Sequence, residues 1–193
     1  MVKVKVPSRS PDDKKLRELI LYICHRSEGD ATFGATKLNK LLFYCDFLAY
    51  TQFGRAITWH TYQRLPNGPA PVALLPITKD MERRKEIAIG EHNYYGHKQK
   101  RTLALRDADL SVFRAEEIAL VEEVIEECRG INATRMSLLS HGFRGWQLAE
   151  NGENIPYEVA LVDFERPTEK DLALAMSMGE ELKALAAECK GND

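Results

Sequence analysis

Residues 36–54, TKLNKLLFYCDFLAYTQFG, limit what this chain can fold into more than any other stretch. Leu38, Leu41, Leu42, Cys45, Leu48 and Ala49 recur at spacings of three and four, which is one stripe of a helix. Phe43, Phe47 and Tyr50 fill a second stripe about a third of a turn away. A helix with two apolar stripes needs neighbours on two sides, so it belongs inside a bundle. Thr36 offers a hydroxyl to cap its first turn, and Gly54 can adopt the left-handed conformation that ends it. Its few polar residues are Lys37, Asn39, Lys40, Asp46 and Gln52. Asp46, set between Cys45 and Phe47, falls on a narrow wet edge or is buried with a partner, and a hydrogen-bonded structural role is expected.

The 193 residues suit one domain with a sizeable core, and 44% apolar against 29% charged residues reads as an ordinary globular protein. The net charge of −2 hides an asymmetry. Residues 1–101 carry 18 Lys/Arg against 10 Asp/Glu, and residues 102–193 carry 9 against 19. If both halves share one core, a surface with a basic and an acidic side is expected, which would steer charged partners. Cys24, Cys45, Cys128 and Cys189 form no CxxC pair, so buried free thiols in a reducing cytosol are expected, without a zinc or redox motif. No window has the length and apolarity of a signal peptide or a membrane span, so the expected location is cytoplasmic.

Residues 1–11 read as an N-terminal arm in which Val2, Val4 and Val6 alternate with lysines, as a short edge strand or a disordered segment. Pro11 and the acidic pair Asp12 and Asp13 open a helix to about Arg26, with Leu16, Leu19, Ile20 and Ile23 on its buried face. Residues 57–65 have strand composition and lead into the tight turn Pro66-Asn67-Gly68-Pro69. Pro71 and Pro76 then allow only a short or kinked helix to about Arg84. A hairpin follows. Ile87, Ile89, Leu103 and Leu105 are expected on one face, and HNYYGHKQKR forms a long basic, aromatic connection. Ile118, Val121, Val124, Ile125 and Cys128 then mark a helix whose wet face is Glu116, Glu117, Glu122, Glu123, Glu126 and Glu127. Short helices are expected at about 134–141 and 156–162. A long amphipathic helix over 168–189, expected to pack on the same domain, completes an α+β, mostly helical architecture around the central helix with a small antiparallel sheet.

No catalytic or cofactor constellation is legible: there is no GxSxG, Walker loop, GxGxxG after a strand, or HExxH. His92 and His97 have poor spacing for metal ligands, and adjacent Cys24 and His25 diverge on a helix. Arg83-Arg84-Lys85 and residues 97–101 are basic clusters, but a sequence pI of 6.2 and the acidic helix argue against an extended phosphate track.

Three blocks in order, KLNKLLFYCDFLAY (37–50), ITWHTYQRLPNGPAP (57–71) and LSHGFRGW (139–146), resemble the Panacea domain, the SocA-like antitoxin family of toxin–antitoxin systems. Lys37, Leu38, Lys40, Leu41, Leu42 and Tyr44 match its first block, Gly68 and Pro69 the second, and Ser140, His141 and Trp146 the third. Asn67, where an aromatic is more usual before Gly-Pro, and Pro76, an extra helix breaker, depart from the pattern. The resemblance covers about residues 12–165 and leaves 166–193 at its edge.

It implies a non-enzymatic antitoxin of bacterial or phage origin that binds a toxin encoded in the same operon, with no cofactor. Its rivals are an adaptor delivering a partner to a bacterial protease and a DNA-binding autoregulator. The matched residues read as scaffold, with His141 and Trp146 pinning a short helix to the core. The partner surface is then expected at Trp59, His60, Tyr62 and Arg64 on the strand and at Tyr94, Tyr95, Lys98 and Arg101 on the hairpin. The acidic helix is the second choice.

Overall fold

The computed structural model describes residues 10–94 and 97–163. The Val2, Val4 and Val6 positions of the N-terminal arm, Tyr95, the expected 168–189 helix and Cys189 lie outside the described residues. Helix α1 (Asp13–Arg26) begins after Asp12, whose carboxylate accepts the Lys15 N–H at 2.9 Å. Helix α2 (Ala35–Phe53) is the central element, with thirteen buried residues from Lys37 to Tyr50. Its first turn is not capped by Thr36. Gly34 is the N-cap, and a Cβ there would come within 2.7 Å of the Gln99 side chain. Gly54 ends it in the left-handed conformation, φ 68°, as expected.

The chain then forms β1 (Tyr62–Gln63), β2 (Ala70–Pro71) and α3 (Leu74–Arg83). Only two residues of the strand expected over 57–65 enter a ladder. They pair antiparallel with β2 on one side and with β5 (Asn154–Ile155) on the other. Pro76 sits in the first turn of α3, where its missing N–H would have no helical acceptor in any case.

Strands β3 (Ile87–Tyr94) and β4 (His97–Ala104) form a second, two-stranded sheet. The ladder runs through most of what composition suggested was a long connection, ending at the Tyr94–His97 pair. Its register also corrects the expected face. Ile87 and Ile89 oppose Ala104 and Thr102, whereas Leu103 opposes Ala88 on the other side. Ile87 is buried, while Ile89, Leu103 and Leu105 are exposed.

Helices α4 (Ala115–Glu127), α5 (Ala133–His141), α6 (Arg144–Leu148) and α7 (Ala160–Asp163) follow, and α1, α4, α5 and α7 all pack on α2. Around Phe47 the core is aromatic. Tyr62 and Phe143 meet it edge-on at 5.3 and 5.4 Å, and Tyr157 lies at 4.6 Å. Cys24, Cys45 and Cys128 are buried free thiols, and burial pushes Cys24 and Cys128 up to about 12.

The acidic helix is not uniformly wet. Glu117 is buried, receives the Arg114 N–H at 2.9 Å and pairs with Lys15 at 2.7 Å. Glu122 takes Arg26 at 2.7 Å, and Glu116 takes Arg55 at 2.5 Å. Part of the charge asymmetry between the two halves is therefore neutralised inside the molecule, where the basic half meets the acidic one.

Candidate functional site

The matched blocks, far apart in sequence, converge on one point. From α2, Lys40 sends its ammonium into the interior, where it is 1% exposed and donates to the Pro69 carbonyl at 3.0 Å. It forms no ion pair among the described residues. Without a counter-ion, burial lowers its pKa to about 7. The turn before β2 reaches Lys40 because residue 68 is glycine. Its φ is 101°, and a Cβ there would lie 2.2 Å from Ser140 Oγ and 2.7 Å from Lys40 Nζ. Ser140, fully buried, donates its hydroxyl to the Ser137 carbonyl at 2.8 Å, so it is a helix-bound hydroxyl and not an activated nucleophile.

Beside it, the His141 ring stacks flat on Trp146, with centroids 3.9 Å apart at 9°. Trp146 Nε1 donates to the Leu65 carbonyl at 2.9 Å. Arg64 lies over the indole at 4.4 Å and donates from Nε to the Trp146 carbonyl at 3.1 Å. Burial lowers the His141 pKa, and the nearby Lys40 and Arg64 charges add to this. Arginine, indole and imidazole thus bind the Gly-Pro turn to α5 and α6.

A second buried centre lies further along α2. Asp46 accepts from the Thr58 N–H at 2.7 Å, the Thr58 hydroxyl at 2.5 Å and the Tyr62 hydroxyl at 2.9 Å, which is the hydrogen-bonded structural role expected of it. Burial raises its pKa, and these donors offset that only in part. Tyr62 also lies 2.9 Å from the Leu42 carbonyl, and Tyr157 donates to the His60 carbonyl at 2.7 Å. Lys37 is likewise interior, with Asp30 Oδ2 at 2.5 Å and Thr32 Oγ1 at 2.8 Å. Lys37 and Lys40 therefore do not form a wet edge on α2, because it is enclosed on nearly every side.

The residues expected to meet a partner divide sharply. Tyr62 and His60 are interior, 0% and 4% exposed, so neither offers a contact surface. Arg64 is held in the Trp146 stack. Arg101 donates to the Ser27 carbonyl at 2.9 Å and to the Glu28 carbonyl, stitching the hairpin to the loop after α1. Lys98 is exposed, 3.3 Å from Glu91. Trp59 is half-buried with φ 56°, a rare conformation for so large a residue. It stands between a charged cleft of about 360 Å³ that includes Lys15, Arg55 and Arg114 and one of about 260 Å³ beside Pro156 and Tyr157. Tyr94 ends β3. Arg83 and Arg84, from the first basic cluster, both pair with Asp80, which reduces the free charge available to a phosphate backbone.

The family model described as antitoxin SocA-like, Panacea domain, matches residues 38–147, more than half of the chain. The chain belongs to that family. No curated protein and no solved structure matches it. In this Panacea domain the matched span runs from Leu38 in α2 to Gln147 in α6 and contains the whole Lys40–Gly68–Ser140–Trp146 junction. Among the described residues no helix is long and apolar enough to cross a membrane, and no group of three or more His, Cys, Asp or Glu is placed to hold a metal ion.

Proposed function

We propose that this Panacea domain is an antitoxin that neutralises a cognate toxin by direct, stoichiometric binding. The observation that carries this is the family match over residues 38–147. The junction supports it. The residues that mark the family are packed against one another as scaffold, with the Ser140 hydroxyl and the Lys40 ammonium each given to a backbone carbonyl. Such a junction holds a shape, and shape is what an occluding partner needs. Binding would cover the toxin's substrate site or restrain its active conformation. The toxin would be encoded in the same operon.

The test is growth rescue followed by co-purification. The neighbouring reading frame is induced alone and then together with this protein. Rescue with a stable one-to-one complex is the expected result. Rescue without a complex, accompanied by faster loss of the neighbour, would replace direct binding with delivery to a protease. Absence of toxicity or of rescue would overturn the antitoxin reading.

A further inference from the structure

Three carbonyls of the turn between β1 and β2 are each held by a side chain from elsewhere in the chain. Leu65 takes the Trp146 Nε1–H at 2.9 Å, and Pro69 takes the Lys40 ammonium at 3.0 Å. Pro66 takes a ring N–H of His141. His141 Nε2 is buried and has no hydrogen-bond partner among the described residues, so the donor is Nδ1. The ring is then the neutral tautomer, with its basic nitrogen enclosed and unused. The Trp146 indole covers one face of it.

The surroundings of that nitrogen are positive. Among the described residues, the charged side chains that act on the ring are Lys40 from α2 and Arg64 from the segment after β1, and no carboxylate offsets them. Burial opposes an imidazolium as well. The C-terminal end of α5, where His141 sits, favours one, but as a partial charge set against two full ones. Below about 7 Lys40 is itself charged, so a proton on His141 adds a second positive charge to the same wall. Proton counting fixes the sign. An imidazole whose folded pKa lies below the ordinary 6.5 takes its proton more readily once released into water, so acid favours the released state. The segments involved are shallow: α6 has five residues, and Pro66, Asn67 and Gln147 are exposed.

We infer that His141 is a proton-operated catch on the Gly-Pro turn, and that a proton taken at Nε2 beside the Lys40 ammonium frees residues 65–69 from α5 and α6. The catch is closed at neutral and higher pH and opens in mild acid, while α2 stays folded beneath it. It stands independently of the antitoxin reading above.

The experiment is NMR hydrogen exchange on the full chain from about pH 7.5 to about pH 5.5, the interval in which an imidazole changes charge. The chain has two tryptophans, so Trp59→Phe assigns the Trp146 indole signal. The second probe is the Gly68 amide, which donates to the Leu65 carbonyl at 2.9 Å. Corrected for intrinsic rates, exchange at both probes speeds up about tenfold across the interval, the yield of one proton over one pH unit. The Leu41 and Leu42 amides of α2 hold their protection. His141→Asn keeps a donor near the Nδ1 position and cannot take the proton, so it abolishes the acceleration. Lys40→Met removes the neighbouring charge and moves the titration of the His141 ring to higher pH, which a packing role for Lys40 would not do. It also supplies the test should His141→Asn not fold. No acceleration in the native chain overturns the inference, and so does equal acceleration in His141→Asn, because the proton then acts elsewhere. Equal acceleration at Leu41 and Leu42 overturns it too, since the whole domain then opens. A His141 titration that Lys40→Met leaves in place overturns the coupling on which the catch depends.

Discussion

Lys40→Met is expected to make the domain more stable and to remove a pH dependence that the native chain carries. The Lys40 ammonium is buried, has one carbonyl acceptor and lies without a carboxylate among the described residues. The distance between about 7 in the folded state and the ordinary 10.5 corresponds to about 5 kcal/mol at 1.36 kcal/mol per pH unit. That figure is a ceiling, because the surroundings relax. The sign follows from proton counting. Between pH 7 and 10.5 the unfolded lysine holds a proton that the folded one has released. Stability therefore rises with pH across that window and is flat below it, where both states are charged. Methionine removes the charge penalty but leaves the Pro69 carbonyl without its donor, which costs roughly 1–3 kcal/mol. The net expectation is a gain of about 2 kcal/mol near pH 6, shrinking as pH rises. Urea denaturation of both proteins at several pH values, compared as extrapolated free energies, measures this. A native profile parallel to that of Lys40→Met from pH 7 upward would refute the reasoning. So would a variant destabilised by several kcal/mol at pH 6, because the ammonium would then have a counter-ion that the geometry does not show.

Three further outcomes follow from the same interior. Gly68→Ala combines a positive φ with a Cβ driven onto Ser140 and Lys40, and should cost roughly 2–4 kcal/mol by thermal or urea unfolding. Asp46→Ala leaves the two buried Thr58 donors unmet, while the Tyr62 hydroxyl keeps the Leu42 carbonyl, and should cost about 2–4 kcal/mol, with Asp46→Asn much milder. Because the folded Asp46 carboxyl titrates above its unfolded value, its contribution is fullest at acid pH and declines as pH rises through the folded pKa, so Asp46→Asn should flatten that limb of a stability profile. At Asp30, burial works to raise the pKa, but hydrogen bonds from Lys37 and Thr32 outweigh it and the net direction is down. Lys37→Met should therefore cost roughly 3–5 kcal/mol by leaving a buried carboxylate without its counter-charge, held only by Thr32, and acid should lessen the difference as Asp30 protonates.

The central helix, its neighbours and the family were legible because they are written locally. Two apolar stripes on residues 38–50 leave α2 no choice but the interior, and Gly54 and Gly68 carry conformations that other residues resist. The fate of the polar residues was less legible, since it is decided by partners distant in sequence. Lys37 and Lys40 look alike in the sequence, yet one meets Asp30 and Thr32 and the other only a carbonyl. His60 and Tyr62 read as contact residues by type, but Tyr62 lies on β1 between β2 and β5, and His60, two residues before it, is buried as well. The hairpin erred by one residue of register. Period-two alternation is plain in both strands, but which pairs face each other depends on the turn, and the basic, aromatic composition of residues 92–101 does not mark where the ladder ends.

The aromatic plug around Phe47 has a consequence for synthesis. Phe143, Ile155, Tyr157 and Ala160 all enter the core that surrounds α2, and β1 gains its second neighbour only from Asn154 and Ile155. A nascent chain shorter than about 160 residues would thus present one wall of α2 and an unpaired β1 to its surroundings. The ribosome must release residues 143–160 before the interior around α2 can close. For that interval the apolar face of α2 that these residues later cover is open to water.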